Sequence, residues 1–298
     1  MPTNTAATVE VAFSRDQQLQ EQLQERLHQG PREQARQQAA ATPQGPPPSR
    51  WTLQTIRASF AWLADYTLSG VWRLLNRLNL RLRSARVQQF SPDPDYASKL
   101  LNLEMALWEA HRYPNSVVAV FVDEMGFCRW PDPAPDWAGV VPVADRRGAN
   151  NGLWRLVGGL NVLTGQVHYL DAYIVGRAKV TEFYGQLVEA YPQARRLYVI
   201  QDNWSIHTHP DVLERLQAWP QVEPVWLPTY APWLNPIEKL WRWLKQDVLK
   251  MHRLAESWVA VRGRVHQFLE QFAHGSQRLL EYVGLLGSGR IARMIHGP

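Results

Sequence analysis

Two short apolar runs, each closed by an acidic residue, constrain what this chain can fold into more than anything else in it. Val117 to Val122 runs into Asp123-Glu124, and Leu197 to Ile200 runs through Gln201 into Asp202. A continuous apolar run of this length, bounded by polar residues, reads as a strand buried on both faces. A carboxylate at the mouth of such a strand is costly unless something pairs with it. The partner is either local backbone N–H or a cation.

The remaining elements surround these two strands. Leu153 to Val162, Thr164-Gly165 and Gln166 to Val175 read as a hairpin closed by a glycine turn. Thr181 to Tyr191 and His209 to Trp219 read as helices, Val222 to Leu227 as a strand, and Pro236 to about Phe272 as one long helix. Pro131 to Pro142 is a Trp- and Pro-containing loop. The order predicts an α/β fold with a mixed sheet, one antiparallel hairpin beside parallel strands joined by crossover helices. If the two acid-tipped strands are parallel neighbours, Asp123 and Asp202 emerge at one sheet edge, where open α/β sheets bind ligands. Two carboxylates held close repel, and a divalent cation removes the conflict. Oxygen ligands without cysteine point to Mg²⁺ or Mn²⁺ rather than zinc.

A third acid, Glu238, lies in Tyr230-Ala-Pro-Trp-Leu-Asn-Pro-Ile-Glu-Lys-Leu-Trp241. Asn235 is placed as a helix N-cap, Pro236 at the first helical position and Glu238 at the third, a capping box with Asn in place of Ser or Thr. Glu238 therefore either caps the helix or presents a ligand from a rigid first turn. Asn203 either positions a ligand or satisfies local backbone. His207 and His209 are a metal pair or, more often for two histidines lacking a third ligand, structural. Glu124 would face the side opposite Asp123 if the strand continued beyond it, and so ranks below Asp123 as a ligand. Trp241, Leu244 and Val248 read as core along one helix face.

Upstream, residues 1–49 are rich in Gln, Pro and Ala, with Leu19, Leu23 and Leu27 at helical spacing and a linker at Pro43 to Pro48. Residues 50–90 read as two short helices around a break at Asp65–Gly70, with Ser69 as candidate cap of the second. The chain carries a net +5, but residues 50–90 alone carry +6, from seven arginines and Asp65. Arg57, Arg73, Arg77, Arg81, Arg83 and Arg86 therefore suggest a helix-turn-helix meeting duplex DNA; an ordinary helical hairpin with a solvated Arg face is the alternative. Residues 91–115 read as a linker, opened by Ser91-Pro-Asp-Pro, and a helix; residues 116–275 as the α/β domain; and 276–298 as a C-terminal tail. One cysteine, Cys128, excludes an internal disulfide and a Cys-based zinc cage and fits a reducing compartment. With no membrane-length apolar run and no signal-peptide pattern, a soluble intracellular protein is expected.

Val122-Asp-Glu, Gln201-Asp-Asn-Trp-Ser-Ile-His and Leu227-Pro-Thr-Tyr-Ala-Pro-Trp-Leu-Asn-Pro-Ile-Glu-Lys-Leu-Trp together resemble the three catalytic blocks of DDE transposases. The branch they look like is the bacterial insertion-sequence branch of the mariner superfamily. Trp51-Thr-Leu and Ser91-Pro-Asp-Pro resemble upstream blocks of the same branch, and the 35 residues between Asp202 and Glu238 are close to its usual gap. The resemblance implies a ribonuclease H-like catalytic domain preceded by a small all-α helix-turn-helix domain. It implies Asp123, Asp202 and Glu238 as the triad holding two Mg²⁺ ions, with Mn²⁺ substituting. Double-stranded DNA would be the partner, cut at terminal inverted repeats and joined to target DNA by a homodimer. Residues 1–49 do not look like the complete second helix-turn-helix common in that family, which suggests a truncated or decayed copy, or a late-assigned start. A DNA-binding regulator derived from a transposase, or a structure-selective nuclease of the same fold, is the alternative reading.

Overall fold

The computed structural model describes residues 17, 20–25, 27, 50–84, 90–146 and 150–296. Most of the Gln- and Pro-rich tail, Leu19 and Arg86 lie outside the described residues. The chain divides into two compact units, residues 1–87 and 88–298.

In the first unit, α1 (Leu53–Ser59) starts from a capping box. The Thr52 hydroxyl accepts from the Thr55 N–H while Thr55 Oγ1 accepts from the Thr52 N–H. A 3₁₀ turn (Ala61–Leu63) leads towards α2 (Leu68–Arg77). The cap of α2 is Thr67, whose hydroxyl accepts from the Gly70 N–H at 3.1 Å. Ser69, the expected cap, lies inside the first turn with its side chain exposed. Both residues have capping chemistry, and the extended backbone at Thr67 decides between them. Ile56, Phe60, Leu63, Val71, Leu74 and Leu75 form the small core, joined by Leu23 from the helical residues 20–25. Arg73, Arg77, Arg81 and Arg83 are exposed, and Arg57 is half-buried.

The second unit is built on one five-stranded sheet. Its strands are β1 (Val117–Cys128), β2 (Leu153–Asn161), β3 (Val167–Ala172), β4 (Arg196–Gln201) and β5 (Val222–Trp226), in the order β3-β2-β1-β4-β5. The pairs β1/β2 and β2/β3 are antiparallel, and β1/β4 and β4/β5 are parallel. This is the mixed sheet expected from the order of elements. Gly165 turns the β2–β3 hairpin at φ 68°, and a Cβ there would meet the Ser276 carbonyl oxygen at 2.5 Å.

Alternation along β1 gives the sheet two cores. Val118, Val120 and Val122 face α4 (Arg177–Ala190) and α5 (Pro210–Leu216). Ala119 and Phe121 face α3 (Tyr96–Arg112), α6 (Ile237–Leu244) and α7 (Trp258–Glu270). Phe121, Ile200 and Leu197 are fully or almost fully buried, each stabilising the fold by roughly 1.5–3 kcal/mol relative to exposure.

Three expectations change. The long helix from Pro236 is broken: α6 ends in a π turn at Lys245–Leu249, and the chain is not helical again until Trp258. The break is held by Asp132, whose N–H donates to Leu249 O and whose carbonyl accepts from Met251 N–H, with Met251 at φ 52°. Residues 276–298 are not a tail up to His296. They form α8 (Gln277–Val283) and α9 (Arg290–His296), which bury Leu279, Leu280, Val283, Ile291 and Ile295 in the main core. Asp123 does not end β1: the parallel pairing with β4 stops at Phe121–Ile200, while pairing with β2 continues to Cys128.

Candidate active site

The sheet positions two of the three acids by register alone. Every β1–β4 pair from Val117↔Arg196 to Phe121↔Ile200 keeps the same offset, and two further residues bring Asp123 level with Asp202. Asp123 shares the face of Ala119 and Phe121, and Glu124 takes the face of Val120 and Val122, as alternation requires. Glu238 comes from the first turn of α6. Asp123, Asp202 and Glu238 line one cleft of about 380 Å³, together with Asn203, Trp204, Thr229, Tyr230, Pro232 and Asn235.

The electrostatics of the cleft are those of crowded carboxylates. Burial, then the charges of Glu124, Glu238 and Asp202, push the Asp123 carboxyl up to about 8. Burial also raises Glu238, and the charge of Asp202 adds to this, against the opposing charges of Arg242 and Lys245. Among the described residues no three His, Cys, Asp or Glu side chains form a ready-made metal cage. The three acids fit a hard divalent cation by their all-oxygen donor chemistry and by the mutual repulsion a cation would relieve. They do so as an open cleft, not a closed site.

Asp123 and Asp202 are each oriented by neighbours. Trp241, one turn beyond Glu238 on α6, donates its indole N–H to Asp123 Oδ2 at 3.0 Å. The indole fits because β2 carries Gly158 opposite Asp123; a Cβ there would lie 2.3 Å from Trp241 Cη2. Asp202 Oδ1 accepts from the Trp204 N–H at 2.9 Å, closing a local turn. On the other side, fully buried His207 bridges two carboxylates, with Nε2 3.0 Å from Glu124 Oε1 and Nδ1 3.3 Å from Asp202 Oδ1.

Burial disfavours a charged His207, but its contacts with Asp202 and Glu124 outweigh this and push its pKa up to about 10. A raised folded-state pKa means stabilisation that is complete below the unfolded value near 6.5 and is lost as pH rises through about 10. Asp123 acts in the same direction up to about 8. Without divalent cations, the urea midpoint should therefore fall as pH rises from 6.5 to about 10, and His207→Gln should flatten the slope. A wild-type midpoint that stays level across that range would show that His207 is not held protonated.

The structure places the other sequence candidates as follows. His209 is not a metal partner of His207: its Nδ1 accepts from the Asp211 N–H, capping α5, and its Nε2 lies 3.1 Å from Arg177 Nη1. Asn203 serves backbone and packing, donating to Leu227 O and meeting Lys99 Nζ. Asn235 does not make the expected capping box. The cap position falls on Pro236, no side chain caps the helix, and the Asn235 Oδ1 is buried without a partner. The sequence assigned two groups here no role in the site. Trp241 read only as core, although its three-residue spacing from Glu238 put both on one face. Asp93, in the Ser91-Pro-Asp-Pro break, accepts from the Thr229 N–H at 2.7 Å and pairs with Lys99 at 2.9 Å.

Residues 118–258 match the family of DDE superfamily endonucleases. That match spans the stretch that carries Asp123, Asp202 and Glu238. Over 227 residues the chain is 24% identical to the insertion element IS630 uncharacterized 39 kDa protein of Shigella sonnei, covering 74% of this chain and 64% of that protein. The chain thus spans a little under two thirds of the length of that curated relative. Among solved structures, the mariner Mos1 paired end complex with Mg matches with a TM-score of 0.53 and 18% identity, covering 85% of this chain and 80% of that one. A Mos1 transposase paired-end complex with left transposon end matches at 0.50 and 17%, covering 88% and 83%. That likeness shows the fold: the second unit is a ribonuclease H-like mixed sheet covered by helices. Among the described residues no helix is long and apolar enough to cross a membrane.

Proposed function

We propose that this chain is a metal-dependent DNA transposase of the DDE type, cutting DNA at the ends of an insertion element and joining those ends to target DNA. The observation that carries the reading is the convergence of Asp123, Asp202 and Glu238 on one cleft within the stretch that matches the DDE endonuclease family. Those three side chains would hold two Mg²⁺ ions, or Mn²⁺ in their place. Bound there, the ions would supply activation of a water or a DNA 3′-hydroxyl and neutralise charge on the phosphate under attack.

The chain's own groups do the positioning. The Trp241 indole fixes the rotamer of Asp123, the Trp204 N–H and His207 fix Asp202, and the first turn of α6 fixes Glu238. DNA ends would be held by α1 and α2, with Arg57, Arg73, Arg77, Arg81 and Arg83 meeting phosphates and Ser69 at the start of α2. Two chains would pair two ends, in the cytoplasm at the nucleoid.

The test uses duplexes carrying the DNA that flanks the gene. Nicking in MgCl₂ or MnCl₂ and none in EDTA is the expected result. Retardation of the duplex with no cutting under any metal would replace the transposase by a DNA-binding regulator, and cutting without strand joining by a nuclease.

A further inference from the structure

Tyr230 is a cleft residue whose presentation the catalytic reading leaves unexplained. The residue is 77% exposed and lines the cleft that holds Asp123, Asp202 and Glu238. Its backbone sits at φ 54°, a left-handed conformation that a bulky L-residue seldom adopts. The residue before it is pinned on both sides. The Thr229 N–H donates to Asp93 Oδ2, and the Thr229 carbonyl accepts from the Ser91 hydroxyl. Asp93 is itself held by Lys99 and by the Asp95 N–H. Buried Pro228 precedes the pinned residue, and Pro232 follows two residues after the tyrosine. The other aromatic in the cleft, Trp204, is engaged, packing edge-on against His207 at 5.5 Å.

A large ring is thus presented to solvent from a backbone in a costly conformation beside a pinned residue, next to crowded carboxylates. Strain of this kind persists where surrounding structure enforces it, and it gathers at ligand clamps. An aromatic face beside a phosphate-handling site suits a nucleobase, because every base presents a π-face and stacking is indifferent to sequence. We propose that Tyr230 is a stacking shelf for an unpaired nucleobase next to the phosphate held at the carboxylates. The substrate class is then duplex DNA with a nucleotide taken out of its stack at the cut site. This inference rests on the DNA-cleaving reading above.

The test compares a fully paired duplex with one mismatched at the nucleotide beside the cut, using the full-length protein in MgCl₂. Tyr230→Ala should cut the paired duplex about 10- to 100-fold more slowly, the range expected for one lost base stack. On the mismatched duplex, where unpairing is already done, the deficit should shrink to a few-fold. Tyr230→Phe, which keeps the ring, should restore most of the rate on both. With 2-aminopurine at the flanking position, wild-type binding should change the fluorescence, and Tyr230→Ala should lose that change. Equal rates for wild type and Tyr230→Ala on the paired duplex would overturn the shelf and leave the transposase reading standing. So would an equal deficit on both duplexes, the mark of a merely structural role. A wild-type protein that cuts neither duplex would overturn both readings.

Discussion

Asp202→Asn and Glu238→Gln should each slow DNA cleavage by at least roughly 10³-fold while leaving a folded protein that still binds DNA. The separation of chemistry from folding follows from where the two acids sit. The Asp202 side chain is 56% exposed, and the amide that replaces it keeps an oxygen for the Trp204 N–H. Its loss weakens one of the two contacts of His207, but the Glu124 contact stays. About 1 kcal/mol of stability is at stake, the scale of one hydrogen bond. Glu238 is half-buried, is uncapped by any neighbour and is raised by burial and by Asp202. A neutral Gln there removes a repelling charge, so the metal-free variant should be at least as stable as wild type. The measurements are urea midpoints, band shifts and cleavage rates on the same preparations. Wild-type cleavage by either variant would remove that acid from the triad.

Trp241→Ala should lower stability by about 3–5 kcal/mol, the usual cost of deleting a large aromatic from a core. Trp241 is 4% exposed and packs in the core shared by α6 and the sheet. Unlike an ordinary core aromatic it also donates to Asp123, so the variant should lose cleavage even under conditions where it remains folded. Gly158→Val approaches the same place from the opposite strand. Its side chain would enter space filled by the indole, 2.3 Å from Cη2, and overpacking of this kind costs about 1–3 kcal/mol. Both variants should shift the thermal midpoint downward, and Trp241→Phe should fall between Ala and wild type. A Gly158→Val protein with an unchanged midpoint and full activity would show that the indole is not wedged against β2 as described.

Much of the sheet was legible because it rests on periodicity. The runs at Val117 and Leu197 are strands, they are parallel neighbours, and Glu124 turns away from Asp123 as alternation demands. What was not legible depends on contacts made far along the chain. No pattern within β1 could show that β2 would extend its pairing seven residues past Phe121 while β4 stopped, leaving Asp123 inside a strand. The apolar spacing from Pro236 to Phe272 looked continuous, because residues on both sides of the π turn face the same core. The break is fixed by Asp132, more than a hundred residues earlier. Residues 276–298 carry too few apolar residues in each short segment to mark a helix, and only the surface they cover explains them. At Asn235 the local rule for capping gave way because Pro236 took the cap position and left the amide oxygen facing the cleft unpaired.

One turn of α6 carries both Glu238 and the donor to Asp123. A swing of that helix away from the sheet would withdraw the third acid and, in the same movement, release the first from the group that aims it. Half-assembled geometries, with two acids aligned and the third waiting, are thereby disfavoured. With α6 swung open, the cleft would keep only Asp202 in its present geometry.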